Sequence, residues 1–186
     1  MNRKLLNFVI FQIGWFSCVL GAANGSPWLG PLVASAVVLF HLLTSEKAIN
    51  EVRLVLIAVT IGLVCDGLLL NSGWIKYNSA SAYAGIAPYW ILAMWAIFAT
   101  TLNLSMSWLK DNLLLSSILG MIFGPLSYFA GQRLGAIEIQ DFGSSVIALS
   151  IIWAVAMPLL MFAASRFDSV AKSTWVKPLA VIPEEE

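Results

Sequence analysis

Apolar positions in this chain fall into six long runs, at 5–22, 27–43, 53–71, 88–109, 113–133 and 145–165, divided by short polar loops. Each run approaches the ~20 residues that carry a helix across ~30 Å of hydrocarbon. In lipid every backbone polar group has to be bonded within its own segment, and the runs lack the alternation of a membrane barrel strand. The pattern predicts an all-α polytopic membrane protein: six transmembrane helices in one bundle, with residues 1–186 forming a single integral membrane domain.

Composition sharpens this reading. The chain is 60% hydrophobic and 11% charged, with a mean hydropathy of +0.87. Soluble domains carry roughly 25% charged residues, so a water-soluble fold is ruled out. Formal net charge is zero, and no basic stripe is present, which argues against nucleic acid and leaves the lipid bilayer as the expected partner.

The basic residues themselves are unevenly placed. By loop parity one side holds Arg3, Lys4, Lys47, Arg53, Lys110, Arg166, Lys172 and Lys177, and the other only Lys76 and Arg133. Basic residues are retained on the cytoplasmic side, so both termini are expected in the cytoplasm and the protein in a cytoplasmic (inner) membrane. Gly21-Ala22-Ala23 after a basic start resembles a signal-peptide cleavage site. The first run nevertheless has the length of a full span and carries Gln12 and Trp15, so it reads as a retained helix.

Helices in lipid associate through small residues that let backbones approach. Ser116, Gly120 and Gly124 recur every four residues, continued by Tyr128, which predicts a central fifth helix. Gly14, Cys18, Gly21 and Gly25 form a looser stripe on the first, and Ala58 and Gly62 lead to Asp66 on the third, turning that carboxylate inward. Pro125 and Pro158 lie within runs and predict kinks.

Helical rise converts position into depth and gives two polar layers. Gln12, His41, Thr60 and Asn103 lie ~10 Å from the cytoplasmic edge in four different helices. They read either as interhelical hydrogen bonds or as a small polar pocket with His41 as proton acceptor. Asp66, Tyr128, Cys18, Cys65, Trp95 and Trp153 lie ~20 Å deep.

Asp66 is the only acidic residue well inside a predicted run, and a carboxylate there calls for a partner. Arg133 is the expected one, giving a structural ion pair. Otherwise Asp66 with Trp95 and Trp153 forms an anionic aromatic cage for an amine or planar ring. Of the outer loops, 72–87 carries Trp74, Tyr77 and Tyr83 and suits a lid over this layer. The other, 131–144, sets Arg133, Glu138 and Asp141 among Leu134, Ile137 and Ile139, an amphipathic pattern suited to the membrane interface.

One histidine and two cysteines are too few for a membrane metal centre. The histidine also lies ~10 Å in depth from Cys18, Cys65 and Asp66, too far for a catalytic triad. No phosphate-binding or dinucleotide motif appears. No catalytic residue, metal or cofactor is expected, and the balance is against an enzyme.

Phe11-Gln12-Ile13-Gly14-Trp15-Phe16 with Cys18, Gly21-Ala22-Ala23, Pro27-Trp28-Leu29-Gly30-Pro31, Phe40-His41-Leu42 and Asp66-Gly67 resemble a bacterial inner-membrane family known only as a domain of unknown function. That resemblance spans nearly the whole chain and implies an inner-membrane setting but no activity. The six-helix pattern is also similar to the substrate-binding component of vitamin-type transporters, a fold-level likeness. The function expected is binding or transport of a small hydrophobic or lipid-like molecule. The alternatives are an accessory or assembly protein that holds a membrane protein partner without a ligand, a vitamin-type substrate-binding component, and an intramembrane lipid-modifying enzyme.

Overall fold

The computed structural model describes residues 3–78 and 85–168. Tyr83, Lys172 and Lys177 lie outside the described residues. All six expected helices form: α1 Arg3–Ala23, α2 Leu29–Thr44, α3 Ala48–Asn71, α4 Tyr89–Leu102, α5 Leu113–Arg133 and α6 Phe142–Arg166. By length and composition α1, α3, α5 and α6 can cross a membrane. The others are shorter than expected of spans: α2 has 16 residues and α4 has 14, or ~24 and ~21 Å of axis.

α4 stops at Leu102 instead of running on to residue 109 because its end is rich in competing hydrogen-bond groups. The Thr100 and Thr101 hydroxyls each donate to a carbonyl three residues back, at 2.7 Å. Backbone N–H groups of Leu104 and Met106 both return to the Thr101 carbonyl, at 3.1 and 2.9 Å. The buried amide of Asn7 in α1 then seizes the turn. It accepts from the Ser105 hydroxyl at 2.7 Å and donates to the Thr100 carbonyl at 3.1 Å. A short 3₁₀ turn, Ser107–Leu109, completes the connection.

Two other helices begin earlier than hydropathy suggests. α3 starts at Ala48, one turn before the apolar run, and so includes Glu51. α6 starts at Phe142 because Asp141 caps it, accepting from the Gly143 N–H at 3.2 Å and the Ser144 hydroxyl at 2.5 Å.

α4 occupies the middle of the bundle, packed on α1, α2, α3 and α6, while α5 packs chiefly on α6. The expectation of a central α5 is therefore wrong. Its small-residue stripe does permit close approach, but to one partner: a Cβ at Gly120 or Gly124 would collide with Trp153 of α6. The Ser117 hydroxyl adds a bond to the Ala154 carbonyl at 2.7 Å. Gly14 on α1 similarly admits Ile97 of α4, and Gly62 on α3 admits the indole of Trp95. Outward faces expose Leu32, Leu56, Leu68, Leu114, Phe123 and Ile151, a surface matched to lipid and ill matched to water.

The α3–α4 and α5–α6 connections meet in a two-stranded antiparallel sheet, β1 (Ile75–Tyr77) with β2 (Ile137–Ile139), in register Ile75 to Ile139, Lys76 to Glu138 and Tyr77 to Ile137. Within the stretch 131–144, the residues Ile137–Ile139 thus form a strand. In both stretches the apolar positions alternate with a charged one, the period of a strand. Ile75, Tyr77 and Ile137 turn inward while Lys76 and Glu138 face out, 3.5 Å apart. Gly135, at φ +86°, supplies the left-handed residue that ends α5 and starts β2.

Candidate functional site

Buried positions on α3 recur as Glu51, Leu54, Ala58, Gly62, Asp66 and Leu69, one continuous helical face. It carries a fully buried carboxylate near each end, about four turns or ~22 Å apart. Each sits in its own polar network.

At the end of α3 nearer the sheet, Asp66 accepts three hydrogen bonds, all of 2.6 Å. The Tyr77 hydroxyl of β1 and the Tyr128 hydroxyl of α5 donate to Oδ1, and the Trp95 indole of α4 donates to Oδ2. Burial, reinforced by the adjacent carboxylate, pushes the Tyr77 phenol well above its ordinary range, so it stays a protonated donor. The expected ion pair with Arg133 does not form: Arg133 is exposed at the end of α5. Among the described residues no basic side chain lies within ion-pair distance of Asp66. Neutral donors from three elements do the work assigned to a cation.

Trp95 stacks on Trp153 of α6 with centroids 4.8 Å apart and planes 9° from parallel. Phe98 sets its edge against both rings. These rings, with Tyr128, form one wall of a cavity of about 590 Å³ between α1, α4, α5 and α6. Trp15, Met94, Leu119 and Met157 line it further, together with Met106 and, from the 3₁₀ turn, Trp108 and Leu109. Its rim includes Phe8 and Phe16 of α1 and Phe123 and Leu126 of α5, all exposed. The cavity is thus a cleft that opens on the flank of the bundle. Asp66 does not line it but accepts hydrogen bonds from Trp95 and Tyr128, which do.

At the other end of α3, His41 Nε2 lies 2.9 Å from Glu51 Oε2. The Asn103 amide donates to Glu51 Oε1 at 2.9 Å and to the Phe167 carbonyl at 3.2 Å. Of the four residues expected in this layer, only His41 and Asn103 meet. Gln12 turns instead into the large cavity. Thr60 is exposed on the outer face of α3, its hydroxyl bonded to the Leu56 carbonyl at 2.8 Å. Depth fixes how far along a helix a residue lies, not which way it points, and those two helices point these side chains elsewhere. The residue that joins His41 to Asn103, Glu51, was missed because the apolar run begins at Arg53. Continuing the α3 stripe of Ala58, Gly62 and Asp66 back by two turns would have found it.

Residues 4–159 match the profile of a family described as "Protein of unknown function (DUF2878)". The chain belongs to this family. The matched stretch contains Asp66 and its three donors, the Glu51, His41 and Asn103 group, and every residue lining the large cavity. This agrees with the resemblance drawn from the sequence, to a family without a known activity. No curated protein matches the chain, and no solved structure does.

Proposed function

We propose that this protein binds a small hydrophobic or lipid-like molecule in the cleft between α1, α4, α5 and α6. The observation that carries the reading is the cavity itself: about 590 Å³, within the ~300–1,000 Å³ of small-molecule sites. Its aromatic walls and its mouth on the lipid-facing flank suit a ligand arriving from the bilayer. The distribution of basic residues supports an inner (cytoplasmic) membrane of a bacterium, one integral domain, and both termini on the cytoplasmic side. The Glu51 network would then lie toward the cytoplasm and the small sheet toward the outside.

An amine ligand is less well supported than a neutral one, because Asp66 is already satisfied by three donors and screened from the cavity. A partner helix laid in the cleft is the second reading, favoured by the exposed aromatic rim of Phe8, Phe16, Trp108 and Phe123.

Native mass spectrometry of protein purified in mild detergent tests these readings, with Ser127→Trp as the variant that fills the cavity. A small-molecule adduct on the wild type, absent from a thermally stable Ser127→Trp, is the expected result. Equal spectra without adduct overturn the ligand reading, and a co-purifying protein lost in the variant favours the partner helix.

A further inference from the structure

On α1 the side chains facing the cavity are Phe8, Phe11, Gln12, Trp15 and Phe16, a single helical face that is aromatic everywhere except at Gln12. We propose that the cleft selects an uncharged lipid-like ligand bearing one hydroxyl or carbonyl group, and that Gln12 is the side chain that reads this group. The inference rests on the cleft being a ligand site, as proposed above.

Two observations carry it. First, among the described residues no Asp, Glu, Lys, Arg or His lines the cavity. A charged head group drawn into it would lose its hydration with no counter-charge, which is strongly unfavourable. Second, the hydroxyl donors of the wall are engaged, and its indoles are donors only. The Ser127 hydroxyl donates to the Gly124 carbonyl at 2.7 Å, and both the Tyr128 hydroxyl and the Trp95 indole donate to Asp66. Trp15, Trp108 and Trp153 offer an indole N–H, a donor without an acceptor, and that of Trp153 is buried with no partner among the described residues.

The Gln12 amide has no hydrogen-bond partner among the described residues and carries both a donor and an acceptor. An amide held in an aromatic surface without a partner is unfavourable, and a hydroxyl or carbonyl of matching polarity removes that penalty. Aromatic surface on either side of Gln12 leaves room for the apolar body of such a molecule.

The test uses radiolabelled fourteen-carbon probes of one length: tetradecanol, tetradecane, tetradecanoate and tetradecyltrimethylammonium. Each is incubated with the full chain in mild detergent, and the probe retained through gel filtration is counted. Wild type is expected to retain tetradecanol about three- to tenfold better than tetradecane, the ratio set by one net hydrogen bond. Both charged probes should stay at or below the alkane. Gln12→Leu should bind tetradecane as well as wild type does and lose the preference for the alcohol.

An unchanged preference in Gln12→Leu, or a charged probe retained best, overturns the role of Gln12 while leaving the cleft as a ligand site. Should no probe exceed the retention of Ser127→Trp, the ligand site itself fails, and this inference with it.

Discussion

The two carboxylates of α3 share one helix face and complete burial, yet they are solved by different chemistry. Glu51 has an imidazole at 2.9 Å and an amide at the same distance. Asp66 has only neutral donors, two phenols and an indole, drawn from β1, α5 and α4. The difference lies in what each network ties together. The Glu51 group joins α2 and α3 to the polar end of α4 and the end of α6. The Asp66 group ties the small sheet, α4 and α5 together at the wall of an apolar cleft. A buried carboxylate held by neutral donors presents no cation to the cavity beside it, which keeps that cavity free of charge.

Asp66→Ala is the change expected to separate the two networks most. It leaves two hydroxyls and an indole N–H without an acceptor, a loss of about 3 kcal/mol or more. Because Trp95 and Tyr128 then lose their orientation, probe retention in the cleft should fall together with stability. Thermal denaturation in detergent, paired with the tetradecanol assay, measures both. A stable variant with intact retention would show that Asp66 does not organise the wall.

Glu51→Ala should destabilise by about 2 kcal/mol, since His41 and Asn103 both lose a buried partner. The cleft should still bind, because none of these three residues lines it. Equal loss of retention in Glu51→Ala and Asp66→Ala would erase the functional distinction between the two networks.

Tyr77→Phe removes one of the three donors to Asp66 and keeps the ring, at an expected loss of about 1 kcal/mol. Its other signature is local: faster amide exchange in β1 and β2, the sheet that Tyr77 anchors to the bundle. Exchange confined to α5 instead would place the anchor at Tyr128.

What the sequence made legible follows from this contrast. The inward turn of Asp66 could be read from Ala58 and Gly62, and the α5 stripe from Ser116, Gly120 and Gly124, because helical spacing carries direction. The partners of Asp66 could not. Ranking candidates by charge points to Arg133, whereas neutral donors suffice, and Tyr77 reaches the site only because two distant loops pair as strands. Alternation in Ile75-Lys76-Tyr77 and Ile137-Glu138-Ile139 was visible but too short to separate from loop. Hydropathy alone likewise set the start of α3 too late and the end of α4 too far, since it does not register the hydroxyl and amide groups that shape helix ends.

The smallest expected effect tests whether depth or direction governs α3. Thr60 lies between the two carboxylates in sequence but on the opposite, exposed face, its hydroxyl bonded only to the helix's own Leu56 carbonyl. Thr60→Val keeps the shape and removes a hydroxyl that bridges no helices. The stability change should stay within about 0.5 kcal/mol, and probe retention should not move. A loss comparable to that of Tyr77→Phe would mean that Thr60 meets a polar group on another helix. The polar residues of α3 would then form a continuous layer, instead of two separate networks on one buried stripe.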